Sequence, residues 1–469
     1  TSAPQVVASF PRGDLRRNTT RLPSRWLLPT LRHHSGNPSL AATEWQQATD
    51  STDTSGSGGW LTTSPSYAGS LQTTTGPSTG QEWRTRAVSA HLDLHDATLS
   101  ASVALSRARE SGQFTRFDGN LAGAAGLTNF ADGTRPVSPT QLERYAICPH
   151  EYFVRRMLHV EPVEAPEEQL EMSVLDIGTL IHESFDDLIT ECRTQGQLPG
   201  YGQDWTDGQR QRLQVIGAAK ADAYEAAGAT GHPTLWQRTR VSLLATLDWM
   251  LTNDGAWRQQ EDAKVVASEL QFGLGGHPEV VIEVPGGALR FRGSADLVDQ
   301  KRDGTLLVTD LKSGSARRFT KLSGDNPVAG GEKLQLPVYA LAARDRYGNP
   351  DTDVEAMYWF VRRDRGTRIE VPLTAAVAQT YAETVGLIAA SISQGVFPQR
   401  APADPDFSWV QCPYCNPDGI GHGDVRKRWE AIRLTPQLRA YTGLVEPDAV
   451  PPAEFPPAVD GPAADMDAI

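Results

Sequence analysis

The sequence predicts an α/β fold in which a mixed central sheet is flanked by helices. Two observations predict it. Apolar residues recur at steps of three and four from 177 to 251, and the spacing then changes to the alternation of strands between 264 and 310. Beyond residue 333, helical and strand patterns follow one another. Helices, then mostly antiparallel strands, then strand–helix units are typical of α/β or α+β domains.

The helical region begins with a clear start signal at Ser138. Ser138 is a favourable N-cap, Pro139 suits the first helical position, and Gln141 would close a capping box. A second short helix follows Cys148 and extends to about residue 158. The next helix, 177–192, carries one apolar stripe, and two more are predicted over 209–227 and 235–251. The stripe consists of Ile181, Phe185, Leu188 and Cys192.

Strands are predicted next, over 264–272, 280–284, 289–299 and 305–310. A helix over 333–345 follows, then strands over 354–361 and 368–372 and a long helix over 375–394. We divide the chain into an N-terminal segment (1–47), a Ser/Thr/Gly-rich linker (48–81), a partly helical connector (82–137), a main domain (138–435) and an acidic Pro/Ala-rich tail (436–469). The tail is expected to be disordered, because its end from residue 445 has six acids and no Lys or Arg.

Charge and composition limit the function classes. The net charge of −13 argues against a nucleic-acid partner, but the acidic tail accounts for part of it and basic clusters remain elsewhere. Each cluster is equally consistent with an ordinary solvated face. We expect a cytoplasmic protein with no membrane span, since four unevenly spaced cysteines form no disulfide framework and no run of eighteen apolar residues occurs. The clusters are Arg155–Arg156, Arg317–Arg318 with Lys321, 362–368 and 426–428.

The candidate site lies on a predicted hairpin. The loop Arg302-Asp303-Gly304 would pair Lys301 with Thr305 and place Gly304 in a left-handed conformation. Continuing that pairing sets Asp296 directly opposite Asp310 on one face, and Lys312, two residues on, points the same way. Like charges directly opposite are unfavourable, so the pair predicts a bound divalent cation, Mg²⁺ or Mn²⁺.

Four other residues join this set in sequence order. His182 lies beside the apolar stripe of its helix, Glu269 lies on a neighbouring strand, and Gln335 and Tyr339 share a helix face. Each of them alone is as well explained by core packing or a solvated surface. Their order around the Asp and Asp-x-Lys strands favours a common site.

At these residues the chain resembles the PD-(D/E)XK nuclease family, in the branch found at the C-terminus of RecB- and AddB-type helicase–nucleases. The matching motifs are GTLIHE, SEL, GSADLVD, TDLKSG and QLPVYA, within 138–435. The resemblance implies a restriction-endonuclease-like core with helical N-terminal insertions. It also implies roles: Asp296 and Asp310 bind metal with His182, Lys312 is catalytic, Glu269 is an accessory acid, and Gln335 and Tyr339 support the site or the DNA strand.

The segments LPSRWLL and FTRFDGNL also resemble parts of those enzymes, which suggests a piece of a longer helicase–nuclease. No GxxxxGK[ST] loop occurs, so ATP hydrolysis by this chain is not expected. The expected partners are therefore DNA, contacted by Arg317, Arg318 and Lys321, and a helicase domain or subunit.

The cysteines raise a separate question. Cys148, Cys412 and Cys415 match three of the four cysteines that hold an iron–sulfur cluster in some relatives, and no cysteine stands at the fourth position. His422 or Asp418 would have to complete an iron–sulfur or zinc site. The alternative is a relic in which the three thiols simply pack, and Cys192 on its apolar stripe is a core residue.

Three functions remain. The first is a Mg²⁺-dependent deoxyribonuclease, an exonuclease module acting in DNA end processing and recombinational repair. The second is a catalytically inactive nuclease-like subunit that binds DNA or braces a complex, with or without a metal staple. The third is a metal-stapled module for protein assembly. The intact Asp296, Asp310 and Lys312 favour the first.

Overall fold

The computed structural model describes residues 8–11, 21–49, 60–61, 71, 79–89, 97–162, 170–405, 407–417 and 421–451. The chain divides into two compact units, 1–104 and 105–469. None of the described helices is both long and apolar enough to cross a membrane.

The first unit has a small helical core. Leu31, Leu40 and Trp45 are buried together. The helix α1 ends at a left-handed Gly36, a common way to stop a helix. The predicted linker 48–81 lies largely outside the described residues. The elements are α1 (Leu28–Ser35), a 3₁₀ helix (Ala42–Thr49) and α2 (Gly80–Ser89), and α3 (Ala97–Glu110) crosses into the second unit.

The second unit opens with a helix capped by Ser138 as predicted, but the predicted capping box is absent, because the Gln141 side-chain amide donates to the Tyr152 hydroxyl at 3.2 Å. The Ser138 hydroxyl accepts from the Gln141 amide, and Pro139 takes the first turn. The long third helix buries the whole predicted stripe from Ile181 to Cys192. The helices are α4 (Pro139–Ile147), α5 (Pro149–Tyr152) followed by a π turn (Phe153–Met157), α6 (Val174–Thr194), α7 (Asp207–Ala226) and α8 (Pro233–Glu261).

A five-stranded sheet follows, in the order β1-β4-β5-β6-β7. Strands β5 and β6 run parallel, and the other neighbours in this sheet are antiparallel, so the sheet is mixed. The predicted α/β core, a mixed sheet flanked by helices, is confirmed. Its strands are β1 (Ala263–Phe272), β4 (Gly293–Lys301), β5 (Leu306–Lys312), β6 (Val354–Phe360) and β7 (Arg368–Pro372), and the later helices are α9 (Gln335–Tyr347), α10 (Ala375–Ser393), α11 (Phe407–Val410), α12 (His422–Ile432) and α13 (Pro436–Val445).

The single strand predicted over 289–299 is wrong. The chain divides at Arg292 into β3 (Gly287–Phe291), which pairs with β2 (Val280–Val284) in a separate two-stranded sheet, and β4. Gly293 lies against the ring of Phe272, where a Cβ would come within 2.8 Å. Apolar alternation runs through this division unchanged, and it therefore gives no sign of the change of sheet.

The tail predicted from 436 also begins too early. Helix α13 buries Leu438 and Tyr441, and the carboxylate of Glu446 accepts hydrogen bonds from Arg426 and Arg433. The amino-acid composition of the tail does not show that Glu446 pairs with Arg426 and Arg433. Residues 452–469 lie outside the described part of the chain.

Two hydrophobic layers cover the faces of the main sheet. Val298 and Val308 belong to the layer that includes α9 and α10, and Leu297 and Leu311 belong to the layer that includes α6, α7 and α8. The neighbouring ends of β4 and β5 therefore lie between α6 on one side and α9 on the other. This is where the candidate site is found.

Candidate metal centre and active site

The predicted hairpin has the predicted register. The Lys301 amide donates to the Thr305 carbonyl at 2.8 Å, and Gly304 has a φ of 99°. Leu297 pairs with Thr309 and Val298 with Val308, and one further step in this register would bring Asp296 opposite Asp310. The Asp296 carboxylate reaches across the pair and accepts from the Leu311 amide at 2.6 Å.

Three side chains from three elements converge beside this hairpin. His182 on α6 lies 3.4 Å from the Asp296 carboxylate, measured from Nδ1 to Oδ1. One ligand atom from each of His182, Glu269 and Asp296 lies within 4.8 Å of the other two. Imidazole and carboxylate donors at this spacing fit a divalent cation.

Helix α6 comes close enough to the hairpin because of Gly178. A Cβ at this position would lie 3.1 Å from the Ser313 hydroxyl, tighter than ordinary contact. Ile181 and Phe185, three and seven residues after Gly178, lie along the same side of the helix and are buried, which fixes its rotation. His182 is thereby held at the ends of β1 and β4.

Glu269 reaches the site through an unusual backbone conformation. The pairs Ser268–Leu297 and Leu270–Ala295 flank it, so that it lies beside Asp296 on the neighbouring strand. Its φ of 46° is left-handed, which costs a residue with a side chain about 1–2 kcal/mol. Its carboxylate accepts from the Ser294 hydroxyl at 2.7 Å. The motif pattern predicted only an accessory role for Glu269, whereas the structure places it in the compact group.

Asp310 and Lys312 form the second half of the site. The two side chains make an ion pair, and the Lys312 ammonium also donates to Gln335 Oε1 at 2.9 Å. The Gln335 amide in turn donates to the Tyr339 hydroxyl at 3.0 Å. The structure thus brings all seven predicted residues together, but Asp310 is not part of the compact three-residue group.

Burial and charge shift the acids of the site in opposite directions. Burial raises the pKa of Asp310 to about 6, aided by the negative charge of Asp296 and opposed by Lys312. Burial also raises the pKa of Glu269. For Asp296, burial is outweighed by His182 and Lys312, which hold its pKa below the usual value.

The two bases respond to the same acids. Burial alone would lower the pKa of His182, but Asp296 raises it above its ordinary value. Burial likewise opposes the charge of Lys312, yet Asp310 and Asp296 raise its pKa. Lys312 therefore stays protonated at neutral pH.

A family model, described as the PD-(D/E)XK nuclease superfamily, matches residues 136–420, more than half of the chain. The chain belongs to the PD-(D/E)XK nuclease superfamily. The match spans the whole group from His182 to Tyr339, so the site described above lies within the region that defines membership.

Individual relatives give a narrower view. The chain is 29% identical over 222 residues to a subunit of the ATP-dependent helicase/deoxyribonuclease of Lacticaseibacillus casei (strain BL23), covering 46% of this chain and 18% of the relative. The subunit of the same name from Lacticaseibacillus paracasei gives the same figures. The chain thus spans less than a fifth of the length of these relatives. A solved structure, the crystal structure of SSO0001, matches 58% of this chain and 93% of its own at 14% identity and a TM-score of 0.20, which is too small a likeness to bear on the fold.

The three predicted thiols of this nuclease-family chain meet at a separate place. Cys148 Sγ lies 3.1 Å from Cys415 Sγ, and Cys412 hydrogen-bonds Cys415, which lowers the pKa of Cys412 to about 6. The Nε2 of His422 lies 2.9 Å from the Pro402 carbonyl oxygen. Cys192, the remaining cysteine of the chain, is buried in α6. The four-cysteine set of an iron–sulfur cluster is therefore incomplete, and Asp418 lies outside the described residues.

The basic clusters divide into internal and peripheral ones. Arg428 donates hydrogen bonds to Asp118 and to three backbone carbonyls within the second unit. Arg365 and Arg368 pack on tryptophan rings. The cluster Arg317, Arg318 and Lys321 instead follows directly after the Lys312 strand. Asp364 holds this segment by accepting from Ser315 and Ala316.

Proposed function

We propose that this chain is a divalent-metal-dependent deoxyribonuclease that hydrolyses phosphodiester bonds in DNA. The observation that carries the proposal is the convergence of His182, Glu269 and Asp296 within 4.8 Å, beside Asp310 and Lys312. A scaffold has no need for four ionisable side chains and a partly buried lysine in one place, because charged groups are costly to bury without a ligand.

In this proposal His182, Glu269 and Asp296 hold the cation, and Asp310 adds a carboxylate from the facing strand. When bound, Mg²⁺ or Mn²⁺ polarises the phosphodiester and lowers the pKa of an attacking water molecule, and no covalent intermediate with the protein is needed. Asp296 is suited to this role because its pKa is held low, so that it is ionised at neutral pH.

Lys312 acts as a fixed positive donor and not as a base. It keeps its proton because Asp310 and Asp296 raise its pKa, and Gln335 fixes its ammonium group at 2.9 Å. A protonated lysine held in this way orients the water or stabilises charge that develops on the phosphate. Tyr339 fixes Gln335 from the other side.

DNA would approach over the segment that follows Lys312. Arg317 and Arg318 lie on a 3₁₀ turn (Ala316–Phe319) capped by Ser315, and Lys321 follows it, nine residues after the catalytic lysine. Positive side chains at this place would neutralise backbone phosphates next to the site.

The wider role is proposed from the relatives. Their name, a helicase/deoxyribonuclease subunit, suggests that this chain works with a helicase domain or subunit, as an exonuclease module in DNA end processing and recombinational repair in the cytoplasm. The cluster of Cys148, Cys412 and Cys415 has no catalytic role in this proposal. It connects the start of α5 to the C-terminal segment.

The direct test is cleavage of linear DNA with Mg²⁺ or Mn²⁺ and with a chelator. We expect the wild type to cut only with metal, and both Asp310→Asn and Lys312→Ala to lose at least about a hundredfold in rate. Lys264→Ala, a lysine of β1 that packs on Tyr201, is the matched control and should cut normally. A wild type that binds DNA and never cuts it would show the inactive DNA-binding or structural role instead.

A further inference from the structure

Glu143, a carboxylate that has no place in the chemistry above, lies next to the active site. It belongs to α4 and is only partly exposed. Its Oε1 accepts a hydrogen bond from the Leu334 backbone amide at 2.5 Å, and the Gln335 backbone amide is close enough to act on its pKa. Glu143 thus joins α4 to the first turn of α9, 191 residues further along the chain.

Helix α9 lacks the usual means of satisfying its own N-terminus. Leu334 occupies the cap position and provides no side-chain acceptor, and no acid stands in the first turn. Free amides at a helix start need acceptors, and a negative charge there is favourable. Glu143 supplies both from another helix.

The residue that this cap fixes is one of the site residues. Gln335 is the first residue of α9, and its side chain accepts from the Lys312 ammonium at 2.9 Å and donates to Tyr339 at 3.0 Å. A backbone that moves at Gln335 would carry the amide away from Lys312. The contacts therefore run from Glu143 through Gln335 to the catalytic lysine.

We propose that Glu143 is a positioning residue, which fixes the start of α9 and, through Gln335, the ammonium group of Lys312. This inference rests on the proposed nuclease function. It requires a side chain at position 143 that is long enough to bring an acceptor oxygen to the Leu334 amide. It does not involve the groups that hold the cation.

A double-mutant cycle tests it. Glu143→Ala should lower kcat about tenfold, with KM and Mn²⁺ affinity unchanged, because misplacing a catalytic group costs turnover before binding. In a Gln335→Ala background the same change should cost less than about twofold, since the route to Lys312 is already broken. Equal losses in both backgrounds would overturn the proposal.

Conservative variants separate geometry from charge. Glu143→Gln keeps an acceptor oxygen at the same reach and should retain most of the rate. Glu143→Asp keeps the charge but is one methylene shorter, and should behave like Glu143→Ala. It also takes the place of that variant in the cycle if Glu143→Ala does not fold. Rescue by Asp and not by Gln would show that charge, not positioning, matters, and the proposal would fail.

Amide hydrogen exchange gives a readout that does not depend on activity. Exchange at Leu334 and Gln335 should be faster in Glu143→Asp than in wild type, and unchanged in Glu151→Ala, a glutamate of α5 that pairs with Arg144. Unchanged exchange at α9 would contradict the cap. A wild type that cuts no DNA would refute the proposed function, whereas normal cutting with additive losses would refute only the role of Glu143.

Discussion

At the scale of single residues, the site consists of groups that would repel one another without a ligand. Asp296 and Asp310 face each other across a strand pair, and His182 and Lys312 offset only part of their charge. The sequence predicted this pair because the loop fixes the register and side chains alternate along strands. It also placed Glu269 and His182 in the same site, but it did not predict the left-handed backbone of Glu269, because a glutamate in a strand pattern carries no signal for that conformation.

The raised pKa of Asp310 gives a pH prediction. Its value of about 6 means that the carboxylate is mostly protonated below pH 6, and a cation binds the charged form. His182 acts in the same direction, because its pKa is also raised and a protonated imidazole binds no metal. Mn²⁺ affinity measured by calorimetry should therefore rise from pH 5 to 7 and then level off. Affinity that stays constant over this range would contradict these assignments.

At the scale of elements, the hairpin was predictable and the change of sheet was not. The loop Arg302-Asp303-Gly304 carries its own signal, a glycine at the position that needs positive φ. The break at Arg292 carries none, because it depends on Val137, whose carbonyl accepts from the Arg292 amide far along the chain. Local pattern predicts local structure, and partners distant in sequence decide the rest.

The hairpin can be tested by one substitution. Gly304 has a φ of 99°, and no atom lies within 4 Å of the position that a Cβ would take, so Gly304→Ala would be strained by backbone conformation alone. We expect a loss of about 1–2 kcal/mol in the free energy of unfolding, measured with urea. Gly324→Ala, where the space is equally open and φ is not positive, is the control. Equal stability of the two variants would show that the loop conformation does not matter.

At the scale of the whole molecule, the net charge is a poor guide to binding partners, because many charged side chains form ion pairs within the protein. The chain has a net charge of −13, yet the segment after Lys312 is basic, and acids such as Glu446 are bound up in internal ion pairs. Net charge therefore did not indicate the basic segment after Lys312, and composition did not predict the helix and ion pairs found within residues 436–451. Only the fold shows which charges remain for a partner.

DNA affinity measured against salt concentration tests that division. The double variant Arg317→Ala/Lys321→Ala should bind DNA more weakly, and the slope of log affinity against log salt should fall by about two, since each phosphate contact contributes roughly 0.9. Arg344→Ala/Arg346→Ala removes the same charge from the end of α9 and should leave the slope unchanged. Equal slopes in the two variants would place the DNA elsewhere.

The central claim is that the hairpin and α6 together create a cation site, and Mn²⁺ binding by isothermal calorimetry tests it most directly. We compare the wild type with Asp296→Asn and with Asp248→Asn, an exposed aspartate of α8 outside the site. The account predicts that wild type and Asp248→Asn bind Mn²⁺ alike and that Asp296→Asn binds at least about tenfold more weakly. Equal affinity in all three proteins would contradict it.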